Sequence, residues 1–105
     1  MNLWTLQDQH MKWLEHNFPN QQGHDALLGV VEEVGELAHA HLKLSQGIRG
    51  TPLEHQDAIR DAIGDIVIYL ASYCNTNGYD LARCVEVAWH QVKTRDWQRN
   101  PQDGT

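Results

Sequence analysis

Long apolar runs are missing from this 105-residue chain. None approaches the ~20 residues that cross a bilayer, so no membrane partner is expected. The start, Met1-Asn2-Leu3-Trp4-Thr5, lacks the charged and apolar regions of a signal peptide, and a cytoplasmic location is the expectation. Basic charge is sparse too. Eight Lys and Arg are scattered along a chain of net charge -6, which excludes a nucleic-acid backbone as partner. Only two cysteines occur, Cys74 and Cys84, without CxxC or zinc spacing. Both read as reduced and buried. There is no strand pattern, no internal repeat and no linker, so residues 1–105 read as one all-α domain.

Four helical segments carry the apolar residues. The first covers roughly residues 3–17, with Leu3, Leu6, His10, Trp13, Leu14 and Phe18 at spacings of three and four. Phe18-Pro19-Asn20 and Gly23 end it. The second runs from about 25 to 45, with Asp25 as N-cap or first-turn acid, and Gly47-Ile48-Arg49-Gly50 closes it. Thr51-Pro52 opens the third, about 52–75, and Asn75-Thr76-Asn77-Gly78 stops it. Asp80 can cap a fourth helix bearing Leu81, Val85, Ala88, Trp89 and Val92. The tail from about residue 98 is expected to fray. A four-helix bundle this short, with apolar stripes this wide, favours a homodimer or homotetramer that covers the remaining faces.

Two acidic segments interrupt this apolar pattern. They are Glu32-Glu33-Val34-Gly35-Glu36 and Asp61-Ala62-Ile63-Gly64-Asp65. Carboxylates at i, i+3 and i+4 share a helix face, which pairs Glu33 with Glu36, Glu32 with Glu36 and Asp61 with Asp65. Asp65 sits in a stretch, Ala62 to Leu70, that holds no other charge. Uncompensated carboxylates there would be costly or protonated. A hard divalent cation, Mg²⁺ or Mn²⁺, is the natural neutraliser of an all-oxygen ligand set, and a small phosphate compound is the natural companion. A carboxylate-bridged di-iron site would need two Glu-x-x-His motifs. Only Glu36-Leu37-Ala38-His39 has that spacing; Ile68 occupies the position three residues after Asp65. Gly35 and Gly64 each cost a helix about 1 kcal/mol relative to Ala. Each precedes an acid of interest, which suggests close packing of the two helices at that level.

The chain resembles MazG-type nucleoside triphosphate pyrophosphohydrolases of the all-α superfamily. Glu32, Glu33 and Glu36 match the motif EExxE, and Asp65 matches the last acid of a following ExxD. The likeness spans roughly residues 5–97. It departs at the Glu of ExxD, which falls on Ala62; Asp61 precedes it, and Glu54 and Asp57 lie on a related face. The resemblance implies a MazG-like bundle completed by dimerisation, and cleavage of a nucleoside triphosphate between the α and β phosphates. Glu33, Glu36 and Asp65, with Asp61 as a possible addition, would hold the metal. Glu32 and Glu33 would be the catalytic acids, Glu32 as ligand or water-orienting base. Lys93 and Arg95 are the candidate phosphate contacts, with Arg49 weaker, and their alternative is charge complementarity at a helix C-terminus. Tyr69, Trp13 and His10 are the candidate walls for the base; core packing is the alternative for Trp13, and Trp97 is expected to pack the C-terminal end. The rival function is a catalytically weakened nucleotide-binding or helical interaction module, marked by Ala62.

Overall fold

A computed structural model describes residues 1–105 and is all-helical. The elements are α1 (Leu3–Asn17), α2 (Gly23–Gln46), α3 (Pro52–Asn77) and α4 (Leu81–Val92). Their ends are set by local chemistry. The Thr5 N–H donates to Asn2 Oδ1 at 2.9 Å, the Glu54 N–H to Thr51 Oγ at 3.2 Å and the Arg83 N–H to Asp80 Oδ1 at 3.1 Å. Pro52 fills the first position of α3, where its missing N–H costs nothing. Gly47 and Gly78 stop α2 and α3 in the left-handed conformation, with φ of 69° and 75°.

Helix α2 starts two residues earlier than the sequence suggests. Asp25 is not the cap; its Oδ2 accepts the Gln22 N–H at 3.0 Å from inside the first turn. Helix α3 runs two residues further, to Asn77, because Thr76 and Asn77 hydrogen-bond back to the carbonyls of Ser72 and Tyr73. The tail expected to fray carries its own turns. The Asp96 N–H donates to Gly104 O at 2.7 Å, and Gly104 packs on Trp97.

The architecture is a long α2–α3 hairpin with α1 and α4 gathered at one end. Helix α2 touches α3 alone, while α1 and α4 pack on α3 and on each other. The four helices thus gather around α3, with α2 packed along it and α1 and α4 at one end. The radius of gyration is 17.2 Å, against about 13 Å for a compact domain of this length. The α2–α3 seam carries small buried residues, Ala26, Gly29 and Ala40 on α2 and Ala62 on α3. At the other end, Ala71, Cys74 and Leu81 form a small cluster covered by Leu3, Leu6 and Val67. Gln7 clamps that end. Its Nε2 donates to Tyr79 O at 2.7 Å, and its Oε1 accepts the Leu81 N–H at 2.9 Å. Cys74 is buried there, but Cys84 is exposed on α4; both are free thiols.

The helical glycines behave differently from expectation. Nothing lies within 4 Å of a Cβ added at Gly35 or Gly64, so no close helix approach explains them. The close approach is at Gly29. A Cβ there would lie 2.7 Å from Tyr69 Cζ and nearer still to its Cδ1 and Cε1. Gly29 is what lets the Tyr69 ring lie across α2.

Candidate functional site

The acidic residues occupy one flank of the hairpin seam. Glu33 is a seam residue, only 8% exposed, while Glu32 and Glu36 are exposed beside it. Carboxylate oxygens of the three lie within 4.8 Å of one another. Asp65, half-buried on α3, stands outside that group but close enough for its charge to act on Glu33. Asp61 is exposed one turn before Asp65 and acts on it in turn. Ala62 is 3% exposed, buried on α3.

No cation of the chain neutralises this flank. The ion pairs join Lys12 to Asp8, His24 to Asp25, Arg60 to Asp57 and Arg83 to Glu86. None reaches Glu32, Glu33, Glu36, Asp61 or Asp65. Glu33 Oε2 is buried without a hydrogen-bond partner. Burial, a hydrogen-bonding contact with Glu36 and the charges of Glu36, Asp65 and Glu32 hold the Glu33 carboxyl above its ordinary range. Burial, Asp61 and Glu36 do the same for Asp65. A site that raises two carboxyl groups in the absence of metal is chemically suited to a divalent cation. Bound cation would favour the ionised forms and supply the missing partner for Glu33 Oε2. Of the other acids, Asp57 is engaged with Arg60, and the Glu54 N–H is used in capping α3.

Glu33 and Asp65 open onto a cavity of about 250 Å³ between α1, the α1–α2 loop and α3. Its walls are aromatic. His10 and Trp13 stack with ring centroids 5.5 Å apart and planes at 25°, Trp13 tilts against Phe18 at 5.7 Å, and Tyr69 closes the α3 side. His10 is buried with Nε2 unpartnered, and burial lowers its pKa, so the ring is neutral near pH 7. The inner end is polar, where Gln21 Nε2 donates to Ser72 Oγ at 2.9 Å. Trp13 is 52% exposed, which makes it a rim residue and not core. The cavity has room for one planar ring, with Glu33 and Asp65 in its lining.

His10, Trp13, Tyr69, Glu33 and Asp65 are thus brought together, with Glu32, Glu36 and Asp61 alongside. Lys93 and Arg95 are not. Lys93 lines a separate surface groove with Arg83, Trp89 and His90 on α4, and Arg95 lies against Gly104 in the tail. Helix α4 does not pack on α2, and no Lys or Arg forms an ion pair with the acids of this flank. Arg49 sits in the hairpin turn, roughly 15 Å of helix beyond Glu36. Phe18, Gln21 and Ser72 are cavity residues that the sequence analysis did not single out. Ser72 had a signal, since Asp65, Tyr69 and Ser72 stand at i, i+4 and i+7, one stripe of α3. Gln21, in a loop, had none. No family model matches the chain, and no curated protein matches it.

Proposed function

We propose that this chain is a MazG-like nucleoside triphosphate pyrophosphohydrolase dependent on Mg²⁺ or Mn²⁺, active as a homodimer or homotetramer in nucleotide-pool housecleaning. The observation that carries this assignment is the junction at Glu33. A buried, unpartnered carboxylate oxygen stands where an acidic flank meets an aromatic cavity. A nucleotide has the matching halves: a planar base for the cavity and a polyphosphate that brings its cation to the carboxylates.

Each group has a role in this proposal. Trp13, His10 and Tyr69 hold the base, and stacking of this kind tolerates any base. Gln21, whose Nε2 donates to Ser72 Oγ, would offer its Oε1 to the base edge. Glu33, Glu36 and Asp65 would hold the cation, with Asp61 as an outer addition. When bound, such a cation neutralises phosphate charge and acidifies water. Glu32 is exposed and unpaired, placed to take the proton of the attacking water. Water oxygen adds to the α phosphorus, the bond from that phosphorus to the α–β bridging oxygen breaks, and pyrophosphate leaves with the electron pair. No Lys or Arg lines the cavity, so the phosphate charge falls to the cation and to whatever a second copy contributes. That same lack, with Ala62, favours the alternative of a nucleotide-binding module without turnover.

The test is incubation of the purified protein with each canonical NTP and dNTP plus Mg²⁺ or Mn²⁺, with products resolved by chromatography. Monophosphate and pyrophosphate are expected, with turnover abolished by Glu36→Gln. Diphosphate and orthophosphate would overturn the cleavage position. Binding without turnover of any substrate would replace the enzyme with the binding module.

A further inference from the structure

The two cysteines take no part in the carboxylate cluster or the aromatic cavity. Cys74 lies on α3, roughly 13 Å of helix beyond Asp65, and Cys84 lies in the first turn of α4. Only Gly78-Tyr79-Asp80 separates the two helices. Both cysteines are hydrogen-bonded to that link. The Tyr79 N–H donates to Cys74 O at 2.9 Å, and the Cys84 N–H donates to Asp80 O at 3.0 Å. Cys74, 6% exposed, packs in one cluster with Leu81. Leu81 and Cys84 are three residues apart, neighbours on one face of α4. A buried thiol and an exposed thiol therefore flank one short turn, each next to Leu81.

An exposed thiol is the one that an oxidant in solvent reaches first, and a neighbouring thiol decides the fate of the product. We infer that Cys84 is a site of oxidation by hydroperoxides and Cys74 its resolving thiol, so that oxidation converts the pair into a disulfide that staples α4 to α3. In the first step Cys84 Sγ attacks one peroxide oxygen. The O–O bond breaks, the other oxygen leaves with the thiol proton as water or an alcohol, and Cys84 becomes a sulfenic acid. In the second step Cys74 Sγ attacks the Cys84 sulfur. The S–O bond breaks, the S–S bond forms, and the hydroxyl leaves with the Cys74 proton as water. The two thiols lose two electrons and the hydroperoxide gains them. Burial, with the charges of Cys84 and Asp80, pushes the Cys74 thiol up, so near pH 7 Cys74 stays protonated and does not react with the oxidant itself. This inference does not rest on the hydrolase proposed above, because neither thiol belongs to that site.

The test treats the folded, reduced chain with hydrogen peroxide, blocks the remaining thiols with iodoacetamide and digests with trypsin. Cleavage after Arg60, Arg83 and Lys93 places Cys74 in residues 61–83 and Cys84 in residues 84–93. The expected product is these two peptides joined by a disulfide, from a chain that runs as a single chain on non-reducing electrophoresis, and dithiothreitol should separate them. A disulfide forms only where the two Cα atoms come within about 7 Å, so the joined peptide also tests the placement of α4 on α3. The oxidised chain should melt at least about 5 °C above the reduced one, since a bond closing a loop of this length restricts the unfolded chain. Cys84→Ser, a change at an exposed position, should abolish both the joined peptide and the rise, and leave Cys74 a thiol. Sulfinic or sulfonic acid at Cys84 beside an alkylated Cys74 would overturn the inference. So would two intact thiols, a bond between the Cys84 residues of two chains, or a joined peptide without any rise in midpoint.

Discussion

Gly29→Ala should damage this protein, whereas Gly35→Ala, two turns along the same helix, should improve it. Both substitutions gain the same helix propensity, about 1 kcal/mol. Their surroundings differ. The added methyl at Gly35 meets nothing within 4 Å; at Gly29 it enters the Tyr69 ring, 2.7 Å from Cζ and closer to Cδ1 and Cε1. The ring atoms met include Cδ1, near the base of the side chain, so the ring cannot yield by moving only its tip and must rotate away or push the helices apart. Overpacking of that kind costs about 1–3 kcal/mol. Because the propensity gain cancels between the two variants, their difference isolates the clash. At roughly 4–8 °C per kcal/mol for a chain near this size, Gly29→Ala should melt at least about 4 °C below Gly35→Ala. Circular dichroism at one fixed protein concentration measures it. Tyr69 also lines the cavity, so Gly29→Ala should weaken nucleotide binding and Gly35→Ala should not. Equal midpoints for the two variants would refute the packing of Tyr69 on Gly29.

Two further outcomes follow from the charges and rings of the site. Glu33 and Asp65 are both held above their ordinary values of 4.5 and 3.8, so the folded chain keeps their protons longer than the unfolded chain does. Their contribution to metal-free stability is therefore greatest below those ordinary values and declines as pH rises through the raised ones. Glu36→Gln removes a negative neighbour of both; in EDTA it should melt above wild type at pH 7, with the gap closing toward pH 4. Mg²⁺ should reverse the order at pH 7, and a variant less stable than wild type in EDTA would show that the carboxylates do not repel. Trp13→Ala should raise KM for the nucleotide about 5- to 150-fold with little change in kcat, since base–aromatic stacking is worth about 1–3 kcal/mol; an unchanged KM would remove Trp13 from the site.

What was legible in the sequence was local. Caps and stops such as Thr51-Pro52, Gly47, Gly78 and Asp80 act within a few residues of themselves, and the four helices follow from them. The acids were legible because a charge in an apolar helix needs a reason. What was not legible depends on a partner far along the chain. Gly35 and Gly64 drew attention because they precede acids, yet the glycine with a packing duty is Gly29, whose reason is Tyr69, 40 positions away. Gln21 enters the cavity only because the α1–α2 loop folds over Ser72. Apolar spacing showed that α2 and α4 each have a face to cover, but spacing cannot say which element covers it.

That last gap bears on the phosphate contacts. Lys93 was singled out as a cation at a helix end, and the fold carries it away from the acids because α4 leaves the α3 terminus without touching α2. The acidic flank is thus short of positive charge by topology as well as by a composition poor in Lys and Arg. Glu32 and Asp61 are exposed one step before the buried Glu33 and Ala62, so a cation and a polyphosphate could reach the proposed site without the core opening.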